Sequence, residues 1–109
     1  LKIAQANLKT LSDNGVRIAF GTDSGPPARF QGYYEHLELE LMEQAGMSPM
    51  KILVSATGAA AENMGLKNIG TLEPGNWADF VVLRENPLDS ILNSRTIENV
   101  IVAGNEIDR

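Results

Sequence analysis

One short run constrains the fold of this chain more than any other: Val16-Arg17-Ile18-Ala19-Phe20. Apart from Arg17 it is apolar throughout, and it does not alternate. That pattern suits a strand covered on both faces, as in a parallel sheet. Such a strand needs neighbours, yet no second strand of that kind is found before residue 66. A lone strand presents two rows of unpaired backbone groups and invites pairing with another chain. The 109 residues suffice for one domain. They fall short of a complete β/α barrel, which takes roughly 250 residues. The run is therefore expected to find its partners in another copy, through oligomerisation or exchange of elements, or in a longer protein. The first residue is Leu1 rather than Met, which agrees with a chain that starts after processing or partway through a longer one.

The segments around the run read as half of an α/β unit. Leu1, Ala4, Leu8 and Leu11 recur at steps of three and four and predict a helix with one apolar stripe. Asn14-Gly15 stops it. Gly21 to Gly32 is a break, containing Gly25, Pro26 and Pro27. A second helix carries Leu37, Leu41 and Ala45 on its apolar side, with Glu35, Glu38, Glu40 and Glu43 as a solvated face. Ser48-Pro49 opens a third helix as N-cap and first helical residue. Thr57 is positioned to cap a fourth, through Ala59–Ala61, which Gly65 ends.

Beyond Leu66 the pattern changes. β-like runs at 69–72, 78–83 and 97–103 are separated by turn residues. Pro74-Gly75 is the preferred central pair of a type II turn. Asn86-Pro87 is a break, Leu88–Leu92 suits one helical turn, and Gly104-Asn105 suits a two-residue hairpin turn. The expected division is an α/β region over 1–66 and an all-β region over 67–109.

Composition removes several function classes. The net charge is −5, with nine basic residues scattered among fourteen acidic ones. Nucleic acid and anionic membrane surfaces are therefore not expected partners. No apolar run approaches the roughly 18 residues of a membrane span, and no signal peptide is recognisable. With no cysteine there is no disulfide framework, thiolate zinc site or thiol nucleophile. That absence also fits a cytoplasmic protein.

The chemistry concentrates in Gly21-Thr22-Asp23-Ser24-Gly25. Asp23 follows the C-terminal end of the buried run, where parallel α/β folds build their sites. A carboxylate there can bind a metal or act as a general base. It can equally be an Asx-turn residue or an N-cap. His36, the single histidine, either faces a substrate above Asp23 or sits at the surface of a helix start. Tyr33 and Tyr34 shape the same loop or simply pack, and the four methionines fill gaps. Asp79 reads as a turn residue bonding backbone groups.

Gly21–Gly25 resembles the end of the eighth barrel strand in the amidohydrolase superfamily of metal-dependent hydrolases. The similarity continues through Glu38-Leu39-Glu40-Leu41-Met42, Ala45-Gly46-Met47-Ser48-Pro49, Ala56–Ala61 and Met64-Gly65. Its most specific piece is Ile69–Leu83, which resembles the lead into that family's small β-sandwich. Asn86-Pro87-Leu88 and 97–107 also fit. The imidazolonepropionase-like and prolidase-like branch is the nearest in pattern.

The resemblance implies an α/β fold, with the last strand and helices of a β/α (TIM-type) barrel over 1–66. Part of a β-sandwich would follow over 67–109. It implies hydrolysis of an amide or cyclic amide C–N bond in a small or dipeptide-like substrate, while the unpaired run 16–20 predicts a homo-oligomer. Asp23 would be the last ligand of a divalent metal, zinc, and the group that shuttles the proton of the attacking water. Apart from the resemblance, His36 is carried as the candidate substrate contact from its place at the start of the second helix. The remaining ligands of that family, mostly histidines, cannot come from a chain with one histidine, so this chain alone is expected to be inactive. The competing expectation is a stand-alone, non-catalytic α/β binding or structural module.

Overall fold

The structure is a computed structural model that describes every residue except Pro26, Arg29 and Arg109. Pro26, one of the residues that predict the break, thus lies outside the described residues. Four helices come first: α1 Lys2–Asp13, α2 Tyr33–Gln44, α3 Pro49–Ala56 and α4 Gly58–Asn63. A small antiparallel sheet follows: β1 Phe80–Leu83, β2 Ile97–Val102 and β3 Asn105–Glu106, in the order β1-β2-β3. A 3₁₀ helix, Ile91–Arg95, lies between β1 and β2.

α1 ends as its sequence predicts. Gly15 takes φ +77°, and Val16 N–H donates back to Leu11 O at 3.0 Å. Its apolar stripe is only partly used, since Leu8 packs on the core whereas Leu11 stays 46% exposed.

The run 16–20 does not form a strand. A ladder needs a partner, and among the described residues no segment lies beside it to supply one. Its backbone is tied at both ends, by Val16 N–H donating to Leu11 O and by Phe20 N–H donating to Ser55 O at 3.0 Å. Ile18 and Phe20 pack on the core, Arg17 pairs with Glu62, and Val16 remains 48% exposed.

The core is a cluster of Leu39, Met42, Met47, Ile52 and Ile91, with Leu53 and Ala56 beside it. It draws on α2, α3 and the 3₁₀ helix, so one residue of the C-terminal region completes the packing of the helices. The buried face of α2 is only partly the expected one, since Ala45 at its end is buried as predicted. Leu39 and Met42 are buried, whereas Leu37 and Leu41 are only partly covered. The sequence Glu-Leu-Glu-Leu offers two leucine rows on the helix, and the core takes the row that continues into Met42.

Ser48 and Pro49 open α3 as expected, with Ser48 Oγ accepting from Lys51 N–H at 3.4 Å. Thr57 does not cap α4. Its hydroxyl donates to Leu53 O at 2.8 Å and so serves the end of α3.

The run 69–72 is not a strand either. Asn68 and Gly70 have φ of +62° and +86°, which breaks the extended path. Gly70 sits against the α3–α4 junction, where a Cβ would come 2.9 Å from Ala61 Cβ and 3.0 Å from Thr57 O. Only glycine fits there. The turn at Pro74-Gly75 forms, closed by Asn76 N–H donating to Glu73 O at 3.0 Å.

The helical turn expected over 88–92 forms later, as the 3₁₀ helix, because Ser90 Oγ caps it through Leu92 N–H. The hairpin turn is Ala103-Gly104, one residue earlier than predicted. Both residues have positive φ, +51° and +78°, as a type I′ turn requires. Asp79 fixes this position by accepting from Ala103 N–H at 2.7 Å, while Gly104 N–H donates to Ala78 O. Asp79 thus bonds turn backbone, as its setting predicts.

Among the described residues no helix is long and apolar enough to cross a membrane.

Ile52 is 0% exposed at the centre of the core. Ile52→Ala is expected to cost about 2–5 kcal/mol and Ile52→Val about 0.5–1.5 kcal/mol. Urea unfolding, read at constant m-value, checks both.

Candidate functional site around the Asp23 loop

Asp23 emerges directly after the extended run. Its φ of +53° places it in the left-handed region. Aspartate tolerates that region better than most side chains, but holding it there costs roughly 1–3 kcal/mol, which surrounding contacts must offset. Thr22 and Ser24 on either side are partly buried, while Asp23 is exposed.

The contacts that offset the cost converge on α2. Glu35, in its first turn, accepts through Oε1 from Thr22 Oγ1 at 3.0 Å and from Ser24 Oγ at 2.6 Å. Its Oε2 accepts from Gly32 N–H at 2.5 Å. The two hydroxyls also lie 2.5 Å apart, and Ser24 N–H donates to Thr22 Oγ1 at 3.2 Å. One carboxylate therefore caps its own helix and gathers both neighbours of Asp23.

These donors favour the charged form of Glu35 and hold its pKa down to about 2. The Ser24 hydroxyl contributes most, followed by the backbone N–H of Glu35, with Thr22 and Gly32 adding less. Glu38, one turn on, moves the other way. Partial burial raises its pKa, against a hydrogen bond from Gly21 N–H that lowers it.

The other side of α2 faces the 3₁₀ helix. His36 Nδ1 lies 3.0 Å from Ser94 Oγ. Burial lowers the His36 pKa, Arg95 adds to that, and Glu35 opposes it. Arg95 pairs with Glu40 at 3.5 Å, and Glu43 accepts from Ile91 N–H at 3.2 Å. The glutamates of α2 are thus not the simple solvated face that their charge suggests, because the helix is flanked by polar partners on two sides. Tyr33 and Tyr34 meet edge to face, with ring centroids 5.3 Å apart.

Sequence reasoning singled out Asp23 and His36 but missed Glu35. The available signal was its position three residues after Gly32, the spacing at which an acidic side chain reaches back to a helix N-cap.

Among the described residues, no group of three or more His, Cys, Asp or Glu side chains is placed to hold a metal ion. A catalytic zinc takes about three protein ligands. Asp23 supplies one donor, so the described residues do not fit a metal centre by themselves.

The carboxylate of Glu35 is favoured by folding, so its contribution to stability is complete above the unfolded value of about 4.5 and is lost as pH falls toward about 2. Glu35→Gln is expected to be less stable than the parent near neutral pH, with the difference narrowing across that interval. Denaturant midpoints measured as a function of pH check the sign.

The model of the family described as "Amidohydrolase family" matches residues 2–107. The chain is 27% identical over 122 aligned residues to 5-methylthioadenosine/S-adenosylhomocysteine deaminase of Bacillus cereus, covering 94% of this chain and 28% of that protein. It is 37% identical over 94 residues to ochratoxinase of Aspergillus niger, covering 84% of this chain and 18% of that enzyme. The crystal structure of a Xaa-Pro dipeptidase with bound methionine in its active site superposes with a TM-score of 0.83 at 28% identity. That match covers 96% of this chain and 25% of the dipeptidase. The chain thus spans about a quarter of the length of such relatives. With a family model matched across nearly all its residues, this chain belongs to the amidohydrolase family.

Proposed function

We propose that this chain forms the C-terminal part of a metal-dependent amidohydrolase that cleaves an amide or cyclic amide C–N bond of a small or dipeptide-like substrate. The observation that carries this reading is the Asp23 loop: an exposed carboxylate in the left-handed region, held by bonds to its neighbours within a family match over 2–107. The deaminase and dipeptidase named above also support it, since both names denote cleavage of a C–N bond.

In this reading residues 1–66 are the last strand and helices of a β/α barrel, and 67–109 are part of a β-sandwich. The run 16–20 is then a barrel strand whose neighbours lie outside this chain, which accounts for its extended but unladdered form. Asp23 is one ligand of a divalent metal, zinc, whose other donors lie elsewhere in the protein. As general base, its carboxylate takes a proton from the attacking water and passes it toward the departing nitrogen. His36 contacts substrate.

In the full-length protein, Asp23→Asn keeps the size of the side chain and removes the basic oxygen. It is expected to lower kcat by about 10²–10⁴-fold on dipeptide or N-acyl substrates. A variant that keeps the parent kcat overturns the role. The 109-residue chain supplied with zinc or manganese is expected to hydrolyse nothing, and turnover by it would show that the missing donors are dispensable.

Association is proposed as well. A groove of about 280 Å³, lined by Val16, Ile18, Met50 and Val54 among others, opens beside the unpaired run. Exposed backbone next to apolar side chains favours pairing. Light scattering of this chain is expected to show a homo-oligomer that Val16→Lys weakens, whereas a clean monomer would refute the proposal.

A further inference from the structure

The bonds around Asp23 are arranged unevenly. Thr22 and Ser24 are drawn inward onto one carboxylate oxygen of Glu35, while Asp23 between them is exposed. The second oxygen of Glu35 is held by Gly32 N–H, at the start of α2. Gly21 is bonded separately, through Glu38. α2 is in turn locked against the core by Leu39 and Met42. A rigid helix therefore grips the loop on both sides of a residue whose backbone conformation is strained.

Charge-assisted bonds of this kind are shorter and roughly twice as strong as neutral ones. The 2.6 Å contact from Ser24 belongs to that class. Aspartate tolerates φ +53° better than most residues, and the bonds from Thr22 and Ser24 to Glu35 fix the backbone on both sides of it.

We infer that Glu35 is a positioning residue for the reaction: by binding Thr22 and Ser24 together it holds Asp23 in its left-handed conformation and turns its carboxylate toward the reacting groups. This rests on the role proposed above for Asp23. Glu35 itself touches no reacting atom and transfers no proton. Its contribution is geometric, and displacements of about 1 Å at a reacting group are worth up to about 10²-fold in rate.

Glu35→Gln is the sharpest variant, because it keeps the side chain's size while removing its charge and one of its two acceptor oxygens. In the full-length protein its kcat is expected to fall by about tenfold or more, with KM held within about threefold. Ser24→Ala, which spares the helix cap, should lower kcat less. The double variant should be no slower than Glu35→Gln alone, because both changes break the same bond. Additive losses, or a Glu35→Gln kcat within about twofold of the parent, overturn the inference.

Amide hydrogen exchange supplies a readout that needs no turnover. In Glu35→Gln the Ser24 and Gly32 amides should exchange about tenfold faster, with Gly21 and Ile52 amides unchanged as controls on the Glu38 bond and on the fold. Unchanged exchange at Ser24 and Gly32 overturns the inference even if no substrate is found. If Glu35→Gln does not fold, Ser24→Ala decides alone: a kcat and Ser24 exchange equal to the parent's refute the grip. Asp23→Asn separates the two readings, since a parent-like kcat there defeats the role of Asp23, while exchange still reports whether Glu35 shapes the loop.

Discussion

The arrangement around Asp23 depends on where α2 begins and how it is rotated. Burial of Leu39 and Met42 against Ile52 and Ile91 fixes the rotation. At about 100° per residue, Glu35 then lies nearly in line with those apolar anchors and Glu38 about 70° to one side of them, next to the loop. His36, Glu40 and Glu43 fall roughly a quarter-turn or more away, where Ser94, Arg95 and Ile91 N–H meet them. One helix therefore presents two polar edges with separate duties. The first shapes the loop, and the second fastens the 3₁₀ helix and, through Ile91, completes the core.

Much of this was legible from residue types alone. Gly15, Ser48-Pro49, Gly65 and Pro74-Gly75 act locally, and each sits where its backbone preference says it should. Asp79 was likewise readable as a turn residue, because a short acidic side chain beside a turn has few other uses. What escaped was non-local. The 103–104 turn is set by residues some two dozen positions earlier, which no hairpin signature registers. The α2 face is chosen by what packs against it, and the Glu-Leu alternation leaves two choices open. Glu35 looked like one of several surface acids until the fold brought Thr22 and Ser24 to it.

The run 16–20 illustrates a different limit. Its composition predicts a segment covered on both faces, whereas in this chain it is extended, with only Ile18 and Phe20 packed on the core. Strand character needs a neighbour as well as a propensity. Under the reading proposed above its neighbours lie outside this chain, and the relatives it matches are about four times as long.

The contact at Gly70 carries a consequence of its own. Where the 68–72 segment crosses the α3–α4 junction, the gap admits a hydrogen atom and little more. A seam flanked only by the small side chains of Ala61 and Thr71 buries little apolar area and gains little attraction. It acts instead as a mechanical stop, setting how near the two segments can come. Such a stop resists compression but not separation, so the C-terminal region must be retained from elsewhere, and Ile91 in the core is the anchor that prevents it from lifting away.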